Sequence, residues 1–429
     1  MAIHSLKRYF WVVILFSLPG WMFMVISTYD HLKQIPMFRV NPFVQTIRQF
    51  DAPSSKGNTS TNRTGHLVSP PGPVTETPRV LLTTVCPKLT DIKNLVHKRE
   101  IDLKSSKPQN ETDQLIFGDQ LDKIRNTITR GNNELQKLVE TARKKKSALS
   151  RPIMESLSAP EVRCGNYLYL PGGHWRPATC KPIWKVAILI PYRDRPVHLL
   201  QFLYYMVPFL MRQLHEFAIY VVNQAGVEPF NRAMLFNVGF LESLNFTQWD
   251  CVVMHDVDHI PQSDFNPYGC VDMPRHFIGH SDRTGMNKPY LRSFGGVSGL
   301  TRLQFFKVNG YSNKYWGWCC EDDDLSDRLQ KNKLKLKRYG KDDFFRVTES
   351  NHVGNGTRSK ENWKNYMTRA RRIKTDGLNS IVYDPPHLEF YSLYTNISVN
   401  LDPLHVTSHS KKAPSRESKG PPTRVKGGR

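Results

Sequence analysis

The chain has 429 residues, 39% hydrophobic and 23% charged, enough for one large domain with appendages or two of ordinary size. Its net charge of +22 would suit nucleic acid, but residues 1–150 carry 22 basic against 12 acidic side chains and residues 409–429 carry 7 against 1. The excess therefore sits in polar flanks rather than on a domain face with interleaved aromatics, which sets nucleic-acid binding aside.

Residues 1–8 form a short tail ending in Lys7 and Arg8, and residues 9–27 form an almost uncharged apolar run of bilayer-spanning length. The positive-inside tendency then predicts a single-pass signal anchor with its N-terminus in the cytosol and the rest lumenal. A cleaved signal peptide is the alternative, and it delivers the chain to the same side. Sequons at Asn58, Asn62, Asn110, Asn245, Asn355 and Asn396 agree with that compartment. So do seven cysteines, Cys86, Cys164, Cys180, Cys251, Cys270, Cys319 and Cys320, as disulfide candidates.

Residues 28–159 read as a largely disordered stem, because residues 51–78 are rich in Ser, Thr, Pro, Asn and Gly and bury no core. Within it, Leu121, Ile124, Ile128, Leu135 and Leu138 recur at helical steps. That spacing admits a coiled coil joining two stems into a homodimer, or a single helix frayed at Gly131-Asn132-Asn133. A folded domain is predicted over residues 160–408, followed by a disordered basic tail, residues 409–429.

In that domain residues 184–190 are a continuous apolar, β-branched run, residues 198–214 have helical periodicity, and residues 217–222 and 250–254 are two further buried-strand candidates. Alternating strands and helices predict an α/β domain with a mostly parallel sheet covered on both faces, whose ligands bind beyond the carboxyl ends of the strands. Pro191-Tyr192-Arg193-Asp194-Arg195 ends the first strand, and its guanidinium forks suit a diphosphate. Phe230-Asn231-Arg232, after the second, offers an aromatic face and a cation to a nucleotide. His255-Asp256-Val257-Asp258 ends the third, with both carboxylates on one side of an extended strand, as a Mg/Mn-type cation requires. Phe294-Gly295-Gly296-Val297-Ser298-Gly299 is a glycine-rich turn that fits no phosphate-loop pattern.

Residues 315–324 read Tyr-Trp-Gly-Trp-Cys-Cys-Glu-Asp-Asp-Asp. Indole faces suit a sugar ring, and Glu321, Asp322, Asp323 and Asp324 offer acceptors for its hydroxyls and a general base. The same run is a favourable first turn for a helix continuing through Leu325 and Leu329, so one segment serves both purposes.

Phe230-Asn231-Arg232-Ala233, the Asp256-Val257-Asp258 block, Phe294-Gly295-Gly296-Val297-Ser298, Trp316-Gly317-Trp318 with its acidic run, and Asp376-Gly377-Leu378-Asn379-Ser380 together resemble the β-1,4-galactosyltransferase family, and residues 172–175, 184–191 and 394–401 look most like its lactosylceramide-synthase branch. The resemblance covers about residues 164–402 and implies a Golgi type II enzyme with a glycosyltransferase A-type, Rossmann-like nucleotide-sugar-binding fold. The implied reaction is inverting transfer of galactose or N-acetylgalactosamine from UDP to a terminal glucose or N-acetylglucosamine of a glycolipid or glycoprotein. It further implies that Pro191, Tyr192, Arg193, Arg195, Phe230, Arg232, Asp256, Val257 and Trp318 hold the donor, with Trp318 the gate of a mobile loop. Asp322 would be the base, and Glu321, Asp323, Tyr290 and Ser293 would line the sugar sites. Asp258 and His352 would ligate Mn²⁺, with Glu349 where the family often supplies a methionine, a harder ligand that also admits Mg²⁺. Cys251 and Cys270 match a family disulfide, leaving Cys180 to pair with Cys86 or Cys164. Cys319-Cys320 stands where the family often has Gly-Gly, so two Cβ atoms or a vicinal disulfide would stiffen the gate or block the acceptor. From that departure comes a rival reading, a catalytically silent homologue that binds sugar or a partner.

Overall fold

The computed structural model describes residues 84–103, 108–144, 152–157, 162–282, 294–338, 342–348 and 359–403. The expected anchor and most of the stem, the basic tail, and Tyr290, Ser293, Glu349 and His352 lie outside the described residues. Among the described residues no helix is long and apolar enough to cross a membrane.

In chain order the helices are α1 (Gln109–Phe117), α2 (Leu121–Lys144), α3 (Pro196–Arg212), α4 (Arg232–Ser243), α5 (Arg302–Lys307), α6 (Glu321–Lys331) and α7 (Lys360–Met367). The strands are β1 (Val162–Cys164), β2 (Tyr167–Leu170), β3 (His174–Pro177), β4 (Lys185–Tyr192), β5 (Glu216–Ala225), β6 (Cys251–His255), β7 (His259–Pro261), β8 (Arg275–His276), β9 (His280–Ser281), β10 (Val297–Thr301), β11 (Lys337–Arg338), β12 (Phe344–Val347), β13 (His387–Phe390) and β14 (Thr395–Asn400). The main sheet runs β1-β2-β3-β5-β4-β6-β10-β8-β11, and β14, with β13 beyond it, joins the far half of β5. β7, β12 and β9 form a small second sheet.

The expected parallel centre is present: β4 pairs in parallel with β5 on one side and β6 on the other. The sheet is mixed beyond it, because β10 returns antiparallel on β6 and β3 antiparallel on β5. Alternation along β4 sends Ala187 and Leu189 to one face and Val186, Ile188 and Ile190 to the other, so each face nucleates its own core. On the first face α4 lies against the sheet; a Cβ on its Gly239 would stand 2.6 Å from a Val222 methyl, so the absent side chain permits that close approach. On the second face α3 buries Phe202, Leu203, Met206 and Val207. Because β5 and β6 flank β4 on opposite sides, the strand order reverses there, and the carboxyl ends open a crevice.

The helix left open as paired or frayed is continuous through Gly131, and Leu135, Val139 and Ala142 are buried within the chain, the first two in the core on the α4 face. Phe117 of α1 stacks on Trp175 at 5.7 Å. The folded body thus takes in segments that sequence reading assigns to the stem. A Cys86–Cys180 disulfide ties the N-terminal segment down across 94 residues; closing a loop of that length in the unfolded chain is worth about 4.7 kcal/mol. Cys251 and Cys270 are bonded as well. Cys164 stays a buried thiol whose pKa burial pushes up to about 11.

Candidate active site

The loop after β6 and the start of α6 meet on one guanidinium, that of Arg232 just past β5. Asn231 caps α4 by accepting from the Met234 amide at 2.9 Å, which places Arg232 at the first helical position, just past β5. Arg232 Nε donates to Asp256 Oδ1 at 2.7 Å, and its Nη1 donates to Asp322 Oδ1 at 2.7 Å and to Glu321 Oε1 at 3.3 Å. The guanidinium also sits over the Phe236 ring, 4.8 Å from its centre. Arg232, expected among the residues that hold the donor, links the strand-end Asp256 to the acidic helix.

The helical turn decides what each of the four consecutive acids does. Successive residues rotate by about 100°, so four in a row cannot all face the same way. Glu321 and Asp322 reach Arg232, and Asp323 is exposed. Asp324 turns inward, where it accepts from Arg328 Nε at 2.8 Å and from the Tyr315 hydroxyl at 2.7 Å. Arg328, fully buried, also donates to the carbonyls of Gly310 and Asp376. Asp324 is therefore an anchor of the helix.

At the end of β6, Asp256, Asp258 and His259 bring one ligand atom each within 4.8 Å of one another. Two hard carboxylates and an imidazole fit a Mn²⁺-type ion. His259 Nδ1 lies 2.6 Å from Asp258 Oδ1 and Arg195 Nη1 3.7 Å from Asp258 Oδ2. Burial alone would depress the His259 pKa, but the Asp258 carboxylate more than offsets it and the pKa is raised. Burial raises the pKa of Asp256, with Arg232 opposing, and raises that of Glu321 to about 7, with Asp322 adding to the rise. The Gly295-Gly296 turn is a structural support, since the Gly296 carbonyl accepts from the Asp256 amide at 2.9 Å and a Cβ there would press on Ile278 and His259.

On the donor side, Arg193 stands over the Phe230 ring at 5.3 Å and donates to the Glu228 carbonyl at 2.7 Å, while the Tyr192 hydroxyl accepts from the Arg195 amide. Pro191 and Val257 are buried. Trp318 is 46% exposed, on a loop held from two sides. The Gly317 amide donates to the Phe230 carbonyl at 2.8 Å, and buried Asn362 of α7 donates to the carbonyls of Trp316 and Trp318 at 3.0 and 3.1 Å. Beneath that loop, Asp376 accepts from the Asn313 amide and the Ser312 hydroxyl, so the Asp376-Gly377-Leu378-Asn379-Ser380 block braces it.

Residues 143–271 match the family model "N-terminal region of glycosyl transferase group 7", and residues 275–353 match "N-terminal domain of galactosyltransferase". Rat β-1,4-galactosyltransferase 6 is 49% identical over 234 residues, 54% of this chain and 61% of that protein. Rat β-1,4-galactosyltransferase 4 is 44% identical over 53% of this chain and 67% of that one. The chain belongs to the β-1,4-galactosyltransferase family. It spans about three fifths of the length of the type 6 and type 5 relatives it matches. A mutant Drosophila β-1,4-galactosyltransferase 7, solved with manganese, UDP-Gal and xylobiose, is 31% identical over 95% of its own length and 51% of this chain, at a TM-score of 0.44.

Of the residues that the family resemblance singled out, the fold brings Arg232, Asp256, Asp258, Glu321 and Asp322 into one cluster and sets Arg193, Arg195, Phe230 and Trp318 around it. His259 was missed, although its place beside the Asp-x-Asp pair was a signal. Asn362 was missed too, and nothing local in the sequence of this galactosyltransferase-family chain marks it out.

Proposed function

We propose that this chain is an inverting, metal-dependent β-1,4-glycosyltransferase of the Golgi membrane, anchored by residues 9–27 with its catalytic domain lumenal. It moves galactose or N-acetylgalactosamine from UDP to a terminal glucose or N-acetylglucosamine of a glycolipid or glycoprotein. The observation that carries this reading is Arg232, whose one side chain holds Asp256 of the cation cluster and Asp322 of the acidic helix, both at 2.7 Å. A leaving-group site and a base site so joined are what a single displacement needs.

Asp256, Asp258 and His259, with His352 and Glu349 from the sequence, would hold Mn²⁺ or Mg²⁺. When bound, the cation would offset negative charge gathering on the departing diphosphate. Arg193 and Arg195 meet the phosphates, with Phe230 behind Arg193. Asp322 accepts the proton of the incoming hydroxyl while Arg232 fixes where its carboxylate points. Glu321 and Asp323 bond sugar hydroxyls beside it, and Trp318 covers the sugar and excludes water that would hydrolyse the donor. By the family resemblance Ser293 and Tyr290 would line the sugar site, and the small serine would admit the N-acetyl group.

The test is UDP release by the purified protein with Mn²⁺, UDP-galactose or UDP-N-acetylgalactosamine, and glucose- or N-acetylglucosamine-terminated acceptors. Turnover that falls at least a thousandfold in Asp322→Asn and Asp258→Asn supports the reading. Turnover no greater than that of Asp322→Asn supports a silent homologue that binds sugar or a partner, the rival raised by Cys319-Cys320 standing where the family often has Gly-Gly. Ser293→Tyr, run alongside, is expected to narrow donor use to UDP-galactose.

A further inference from the structure

Cys319 and Cys320 are bonded to each other in the loop between Trp318 and Glu321. Both lie at positive φ, 104° and 84°, conformations that an L residue adopts at a cost. Cys320 is also the residue preceding α6, where a side-chain oxygen usually accepts a helix amide; here no side chain does, and the Cys320 carbonyl accepts the Asp324 amide at 3.0 Å. The helix that presents Glu321 and Asp322 thus begins on two consecutive disfavoured residues without a cap. What restrains them is covalent, because a bridge between adjacent cysteines closes an eight-membered ring that includes their own peptide bond.

The surrounding contacts confine the effect to this turn. Upstream, Asn362 and the Phe230 carbonyl grip the backbone up to Trp318. Downstream, Asp324 is tied to Arg328 and Tyr315. Between those two clamps lie the disulfide and the two acids that face Arg232.

We propose that the Cys319–Cys320 disulfide is the positioning element that sets the first turn of the acidic helix, and that a thiol reductant releases it. Two reductant thiols supply two electrons and two protons; the Sγ–Sγ bond breaks, Cys319 and Cys320 become thiols, and the reductant leaves as its own disulfide. Without the ring, both residues relax from positive φ, Glu321 and Asp322 lose register with Arg232, and the Trp318 indole, on a backbone that stays held, sees a changed neighbour. Cys319 is the one half-buried cysteine of the three bridges, the other five being buried, so this bridge meets solution thiols first. The catalytic arm of the test rests on the function proposed above; the structural arm does not.

The experiment compares the full chain with Cys319→Gly/Cys320→Gly and Cys319→Ser/Cys320→Ser, with and without dithiothreitol. Reductant is titrated by alkylation and mass spectrometry to a level that labels residues 319 and 320 and spares the other four cysteines of the bridges. The parent is expected to change its tryptophan fluorescence on reduction, a change absent in Trp318→Phe, and to lose about tenfold in kcat with little change in donor KM. The Ser/Ser protein should resemble the reduced parent at all times. The Gly/Gly protein, whose residues tolerate positive φ, should be insensitive to reductant. No selective labelling at 319 and 320, or identical fluorescence in both redox states, overturns the proposal, as does equal loss of turnover in Gly/Gly and the parent. Absence of turnover in every protein refutes the proposed function alone, since labelling and fluorescence still decide the role of the bridge.

Discussion

Replacing Arg232 with methionine keeps most of the volume and removes the cation that, among the described residues, Asp256, Glu321 and Asp322 share. The Arg232 side chain is 15% exposed, and those of the three acids are 26%, 13% and 23% exposed, so water cannot fully take over. Breaking a buried ion pair on one side costs about 3–5 kcal/mol, because the partner charge is left uncompensated. At about 2 °C per kcal/mol for a domain of this size, the midpoint of thermal unfolding at pH 8 should fall by roughly 6–10 °C. The pH dependence gives the sharper test. Burial already raises the pKa values of Asp256 and Glu321, and losing Arg232 raises them further, so the folded protein binds protons that the unfolded chain releases. Such protons stabilise the fold at low pH and the gain disappears as pH rises. The variant should therefore lie closer to the parent at pH 5 than at pH 8, and Mn²⁺ should raise its midpoint more than it raises the parent's. Differential scanning calorimetry at the two pH values measures both. A loss under about 2 °C, or the same loss at pH 5 and pH 8, would refute the claim that this guanidinium neutralises the cluster.

Glu321→Gln should stabilise the unliganded protein at pH 8 and leave it unchanged at pH 5, since the wild-type carboxyl, with its pKa near 7, is charged only at the higher value; urea denaturation at both pH values checks the sign. Gly377→Ala should unfold the brace under the tryptophan loop, because a Cβ there would fall 1.9 Å from the Asn309 carbonyl oxygen, whereas Gly317→Ala meets no atom within 4 Å and should cost only about 1 kcal/mol for its positive φ. Circular dichroism melts of the pair test that contrast. Asn362→Ala removes two hydrogen bonds to the loop carbonyls, each worth about 0.5–1.5 kcal/mol, and should speed proteolysis near Trp318 while moving the global melt little.

Much of the catalytic-domain architecture was legible because it is local. The β-branched run of β4, the alternation that splits its side chains between two cores, and the acids that open α6 are properties of short windows. The placement of Arg193, Phe230 and Asp256 at strand ends followed from the α/β rhythm alone. The Leu121–Lys144 helix shows the opposite case: its apolar stripe was visible, but a stripe does not name its partner, and here that partner is the chain's own core. Likewise Cys180 had two candidates at sequence level, and only the proximity of the N-terminal segment selected Cys86.

The acidic run makes the division clearest. From the order of residues came four carboxylates at the start of a helix, beside two tryptophans and two cysteines. Tertiary structure decided that Glu321 and Asp322 share Arg232 with Asp256, that Asp324 is bound to Arg328, and that His259 joins the cation cluster. A side chain's type is fixed by the codon, but its charge state and role depend on burial and on charges a few ångströms away, and here Arg232 meets partners 24, 89 and 90 residues distant in sequence.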